Sequence, residues 1–246
     1  ESTGQKSQSC FFKIIMATQP KQTPAEMASS KALEEMYTCL KNNDDFLLEA
    51  GAGAGKTYSL IKALRFLIET KQTDLIRKNQ QIACITFTNV AKEEIELRTD
   101  RNPLIYCDTT HAFCWSLING FQDKLRLLIA EMPEWQERIA EVGGLGNRVI
   151  EYNLGHRSIK EDRLMLHHDD IIPLTVSLME HPKFRQIMVS RFPIILIDEY
   201  QDTNLGWIEA IKSHFIGQAA APLFGFFGDH WQKIYGEGCG SITHAG

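Results

Sequence analysis

The chain has 246 residues, a formal net charge of -5, 43% hydrophobic residues and 23% charged ones. That balance excludes disordered and collagen-like classes and a surface coated in basic charge, while leaving room for a local basic groove. The length suits one large domain or two small ones with a real core. Residues 1–22 read as upstream sequence or a disordered lead, because Glu1 to Ile15 lacks the small-residue cleavage pattern of a signal peptide. From Thr23 to Lys41, Ala25, Met27, Ala28, Ala32, Leu33, Met36, Tyr37 and Leu40 recur at helical spacing, and Asn42-Asn43-Asp44-Asp45 breaks the helix. A short strand over Phe46–Ala50 runs into a glycine-rich loop and a helix from Lys56 to Thr70. Ile82–Phe87 reads as a buried strand, Val90–Arg98 as a charged helix and Ile105–Thr109 as a third strand, leading into a helix with His111, Phe113, Trp115 and Leu117.

From residue 119 to 190 strand signals vanish and amphipathic helical segments dominate, with loop material around Gly143 to Gly155. Phe192–Ile197 is a fully apolar strand, Trp207–Phe215 a helix and Leu223–Phe227 a last strand. Strands alternating with helices predict an α/β fold with a parallel sheet, into which residues 119–190 insert as an all-helical subdomain. No apolar run approaches the roughly 20 residues that span a bilayer, so no membrane partner is expected. Cys10, Cys39, Cys84, Cys107, Cys114 and Cys239 form no Cys-x-x-Cys pair. They read as buried free thiols, which fits a reducing cytoplasm, and not as a zinc site.

Two motifs carry chemistry. Ala50-Gly51-Ala52-Gly53-Ala54-Gly55-Lys56-Thr57 follows a strand and opens a helix. Glycines let backbone N–H groups turn inward around phosphates, and the helix N-terminus adds partial positive charge. Lys56 is placed to reach the β and γ phosphates of ATP, and the Thr57 hydroxyl to hold Mg²⁺. The strict phosphate-loop pattern wants Gly where this chain has Ala50. The second motif is the apolar run Ile194-Ile195-Leu196-Ile197 ending in Asp198-Glu199. Asp198 suits the Mg²⁺ shell and Glu199 the general base that polarises the attacking water. After the last strand, Gly228-Asp229-His230-Trp231-Gln232 offers an amide, Gln232, able to hydrogen-bond the γ-phosphate or the water; alone this is an ordinary turn and helix.

With these residues in place, the chain resembles the N-terminal half of UvrD/Rep-type superfamily-1 DNA helicases. The family's phosphate loop carries Ala at the position of Ala50. Thr86-Phe87-Thr88-Asn89 with Ala91 resembles its motif that touches single-stranded DNA, and Thr110-His111-Ala112-Phe113 the Thr-x-His-x-Phe-type motif after it. Asp198-Glu199-Tyr200-Gln201-Asp202-Thr203-Asn204 is a near-complete match to its Walker B sequence. Gly228-Asp229 with Gln232, Ile234 and Tyr235 resembles motif III, and Asp169-Asp170 with the following helix the return from the insertion.

The resemblance implies a RecA-like P-loop ATPase domain in two parts, residues 23–118 and 191–246, with the helical insertion over 119–190. It implies catalytic roles for Lys56, Glu199 and Gln232, Mg²⁺ at Thr57 and Asp198, and a single-stranded DNA path along Phe87, Asn89, His111, Phe113 and Tyr235. Aromatic faces suit base stacking, worth about 1–3 kcal/mol per base. Phe113 and Trp115 read equally well as core, His111 reads as a positioning contact for a loop or phosphate, and His167 and His168 read as solvated. The family's adenine-reading glutamine is not evident near Glu34 and Glu35, and Glu237 and Gly238 replace the aromatic and arginine that follow motif III. The second RecA-like domain, with the transition-state arginines, is expected as a partner from outside these residues. The implied activity is an ATP-dependent helicase or translocase, weak in this portion alone. The alternative is a helicase-derived regulatory or defence-system subunit that binds nucleotide and a nuclease partner without unwinding.

Overall fold

A computed structural model describes residues 12–16, 24–51, 55–153 and 155–229. The chain divides into two compact units, one built up to Thr109 and again from Gln186, the other Thr110–Arg185. In chain order the first unit opens with β1 (Phe12–Met16), α1 (Pro24–Asn42), β2 (Phe46–Ala50), α2 (Lys56–Lys78), β3 (Ile82–Thr86), α3 (Asn89–Arg98) and β4 (Ile105–Thr109). The second unit contains α4 (Thr110–Ile118), α5 (Gln122–Glu131), α6 (Pro133–Glu141), β5 (Val149–Tyr152), β6 (Ser158–Ile159), β7 (Arg163–Leu166) and α7 (His168–Met179). Helix α8 (Pro182–Arg191) leads back to β8 (Ile194–Asp198), a 3-10 turn over Tyr200–Asp202, α9 (Leu205–His214) and β9 (Leu223–Gly228).

The first unit is an α/β domain on a parallel sheet in the order β1-β2-β9-β8-β3-β4. Every residue of β2, β3, β8 and β9 is buried, which explains their near-continuous apolar sequences. Strand β4, at one side of the sheet, is only half-buried. Within residues 1–22, the described segment Phe12–Met16 departs from the expectation of a disordered lead, because it pairs in parallel register with Phe46–Ala50. A five-residue segment, apolar except for Lys13, is too short to show a periodicity of its own, and the partner strand decides its state. Helix α2 runs eight residues past its expected end at Thr70, to Lys78, because no glycine or proline interrupts it. It stops where Asn79 turns left-handed (φ 51) and donates its N–H to Ile76 O, while Gln80 N–H reaches Leu75 O.

The core between α1, α2 and the sheet is built from Met36, Leu40, Leu60, Leu64, Leu67, Phe46 and Phe227. The last two rings meet edge to face at 5.6 Å. Mid-strand Gly225 is required by this packing: a Cβ there would lie 2.6 Å from Phe46 Cζ and 2.7 Å from Leu196 Cδ2. Gly225→Ala is therefore expected to destabilise the domain by about 1–3 kcal/mol, read as a lowered urea midpoint at unchanged m-value.

The second unit corrects the all-helical expectation for residues 119–190. Strand β7 pairs in parallel with β5 and antiparallel with β6 in a three-stranded sheet. Strands β5, β6 and β7 have four, two and four residues, too short for an alternating pattern to rise above Glu151 and Arg163 within them and Lys160 beside them. Helix α7 is held at its start by Asp170, which accepts His167 N–H at 2.8 Å and two contacts from Arg157, Nη2 at 2.6 Å and Nε at 2.9 Å. Cys39, Cys84, Cys107 and Cys114 are buried free thiols. Among the described residues, no helix is long and apolar enough to cross a membrane.

Candidate active site

Parallel strands share one direction, so the C-terminal ends of β2, β9, β8 and β3 lie side by side along one edge. Open parallel sheets bind ligands at that edge. Buried Ala50 ends β2 and Gly51 follows it; Ala52, Gly53 and Ala54 lie outside the described residues. Gly55 sits left-handed at φ 84, ψ 29, a conformation that glycine adopts without a Cβ penalty. Its carbonyl accepts Ser59 N–H at 2.9 Å and starts α2. Lys56 and Thr57 thus stand on the first turn, where backbone N–H groups and the helix dipole favour an anion.

The Lys56 side chain is only 10% exposed, and its Nζ donates to Glu199 Oε2 at 2.7 Å. The start of α2 and the carboxylate that follows β8 are therefore in direct contact, 143 residues apart in sequence. Asp198 closes β8 with its side chain buried, accepting Glu199 N–H at 3.1 Å. Burial, and then the neighbouring Glu199, pushes its carboxyl up to about 7. A hard divalent cation would supply the charge that this buried carboxylate lacks, and with the Thr57 hydroxyl it makes the oxygen donor set that Mg²⁺ takes. The residues present fit that ion.

Glu199 adopts a left-handed backbone, φ 47, where β8 gives way to the 3-10 turn. Such strain in a non-glycine residue clusters at functional sites. Two further groups hold the turn. Tyr200 OH donates to buried Glu49 Oε1 at 3.2 Å, linking it to β2. Gln201, 1% exposed, donates to Glu199 Oε2 at 2.7 Å and accepts Asp229 N–H at 3.1 Å. Sequence reasoning assigned no role to Glu49, Tyr200 or Gln201. The available signal was polar residues beside an otherwise apolar strand end, which says nothing of partners far along the chain.

Of the residues expected on a DNA path, Phe87 and Asn89 are exposed just beyond β3, at the same sheet edge as Asp198. Thr88 caps α3, its hydroxyl accepting Ala91 N–H at 3.1 Å. Phe113 is fully buried within the second unit, so the stacking expectation is corrected in favour of core. Gln232 and Tyr235 lie outside the described residues.

His111 stacks on His168 with ring centroids 3.4 Å apart, and His168 Nδ1 meets Tyr152 OH at 2.8 Å. His167 Nδ1 accepts Asp169 N–H at 3.3 Å. The reading of His167 and His168 as solvated is corrected, since one caps α7 and the other packs in a ring stack. Burial, and then His168, lowers His111 to about 4. A histidine that protonates more readily unfolded than folded makes stability fall as pH drops from about 6.5 towards 4. The expected loss by pH 5 is about 1 kcal/mol, discounted because the ring is partly exposed. Calorimetry at pH 7.5 and 5 checks it: His111→Asn should flatten this dependence while lowering Tm at both.

The sequence profile of the AAA domain family matches residues 32–237. The chain belongs to that family. Its domain is the helicase domain of UvrD and PcrA type. The chain is 22% identical to the Gabija protein GajB of Bacillus cereus over 86% of its own length and 44% of the relative. It is 22% identical to the ATP-dependent DNA helicase PcrA of Staphylococcus aureus over 76% of the chain and 33% of the relative. It is 27% identical to the ATP-dependent DNA helicase UvrD1 of Mycobacterium leprae over 70% of the chain and 28% of the relative. The chain thus spans less than half the length of these curated relatives.

Proposed function

We propose that this chain is the N-terminal ATP-binding portion of a UvrD-type translocase, coupling ATP hydrolysis to movement along single-stranded DNA in the cytoplasm. The observation that carries the reading is the 2.7 Å contact between Lys56 and Glu199, beside buried Asp198 at the C-terminal edge of a parallel sheet. Lys56 leaves Glu199 for the phosphates when ATP enters. Freed of its counter-charge, Glu199 orients the attacking water and accepts its proton. Thr57 and Asp198 would hold Mg²⁺, which would supply charge neutralisation at the phosphates. The ATPase domain is the motif-bearing unit that runs up to Thr109 and resumes at Gln186, interrupted by Thr110–Arg185. A second RecA-like domain supplies the arginines that stabilise the transition state, so this portion alone turns over slowly. Phe87 and Asn89 serve the DNA path, with Tyr235, while Gln232 senses the γ-phosphate.

One observation keeps a second reading in play. The match to the Gabija protein GajB covers 86% of the chain, against 76% for PcrA. It favours a helicase-derived regulatory or defence-system subunit that binds nucleotide and a nuclease partner without unwinding. The test uses the polypeptide expressed from the whole natural reading frame. ATPase activity rising severalfold with single-stranded DNA, together with displacement of a labelled strand, supports the translocase. Nucleotide binding without strand displacement supports the second reading. No nucleotide binding sinks both.

A further inference from the structure

We propose that Gln201 is a positioning residue for hydrolysis, a buried amide strut that fixes the Glu199 carboxylate against the chain leaving β9. The inference rests on the reading of Glu199 as the general base. Gln201 lies in the 3-10 turn that follows β8 and is 1% exposed. Its Nε2 donates to Glu199 Oε2 at 2.7 Å and to Asp202 Oδ2 at 3.3 Å, and its Oε1 accepts the backbone N–H of Asp229 at 3.1 Å. The amide has one sense only. Reversed, it would set its oxygen against two carboxylates and its NH₂ against a backbone donor.

The same Glu199 oxygen also receives Lys56 Nζ at 2.7 Å. Once phosphates draw Lys56 away, the amide of Gln201 remains as the neutral donor on that oxygen. It keeps the carboxylate aimed without taking its charge, which a base needs. The other end of the strut is equally constrained. A Cβ on Gly228 would stand 2.2 Å from Gln201 Oε1 and 2.5 Å from Tyr200 Cδ1, so only glycine at the end of β9 lets the strut seat. Displacement of the backbone at Asp229 is thereby transmitted to the base. A reacting group misplaced by about 1 Å costs on the order of a hundredfold in rate.

The test uses the polypeptide from the whole natural reading frame, measuring DNA-stimulated ATPase, Kd for a fluorescent ATP analogue and Tm. For Gln201→Ala, kcat should fall about 10–100-fold while Kd stays within about twofold. Gly228→Ala reaches the same strut from β9 and should lower kcat in the same way. Should Gln201→Ala fail to fold, Gln201→Glu decides: it keeps the acceptor for Asp229 N–H but turns a second carboxylate on Glu199, and kcat should fall at least as far. Unchanged kcat in the folded variants overturns the inference while leaving the hydrolase reading intact. So does a parallel loss of kcat, affinity and Tm, the signature of a merely structural residue. Absence of turnover in the wild-type protein overturns the hydrolase reading itself, and the inference with it.

Discussion

Lys56→Met is expected to abolish productive nucleotide use. The side chain is 10% exposed and ends on Glu199 at 2.7 Å, so methionine keeps the packed stem and removes only the charge. A charge-assisted hydrogen bond to phosphate contributes about 1.5–3 kcal/mol, so affinity for ATP should fall about 10–100-fold. Loss of a preorganised donor at the developing charge should cost a further 10²–10³-fold, roughly, in turnover. Removing the ammonium also leaves Glu199 beside Asp198, which burial already pushes up to about 7. Without the ammonium that offsets it, Asp198 should resist ionising still further, so the variant should lose some stability as pH rises through about 7. Titration of a fluorescent ATP analogue, with ATPase rates for the whole polypeptide, measures both. Turnover that survives the substitution would refute the phosphate-loop assignment.

Much of this arrangement was legible in the sequence, for definite reasons. Strands β2, β3, β8 and β9 are buried on both faces, and their near-continuous apolar runs, alternating with helical patterns, imply a parallel sheet. Gly55-Lys56-Thr57 and Asp198-Glu199 stood out because phosphate and metal chemistry restrict residue type and spacing, and the structure brings Lys56 and Glu199 together. What stayed hidden depended on partners distant in sequence. Phe12–Met16 becomes a strand only because β2 offers it a parallel neighbour. The three strands of the second unit are stabilised by one another, and none spans more than four residues. Phe113 could not be told from a stacking aromatic until its burial was known. Gln201 sits inside a recognisable motif, yet its role depends on a backbone N–H 28 residues later.

Glu199→Gln separates binding from chemistry in the same site. Gln cannot accept the proton of the attacking water, and loss of a general base costs about 10²–10⁴-fold in turnover. Affinity should move the other way. Lys56 is engaged by Glu199, and phosphates must compete with that ion pair. The Glu199 side chain is 36% exposed, so solvent screens the pair and holds its strength to about 1 kcal/mol. Neutralising Glu199 removes that competition, and ATP affinity should rise up to about fivefold. The two predictions thus have opposite signs in Kd and the same sign in kcat: Lys56→Met weakens both, Glu199→Gln tightens binding and stops hydrolysis. A binding titration beside single-turnover kinetics reads them together. Weaker binding in Glu199→Gln would mean that the carboxylate supports the nucleotide instead of competing with it, and the ion pair would then be no gate on the phosphate loop.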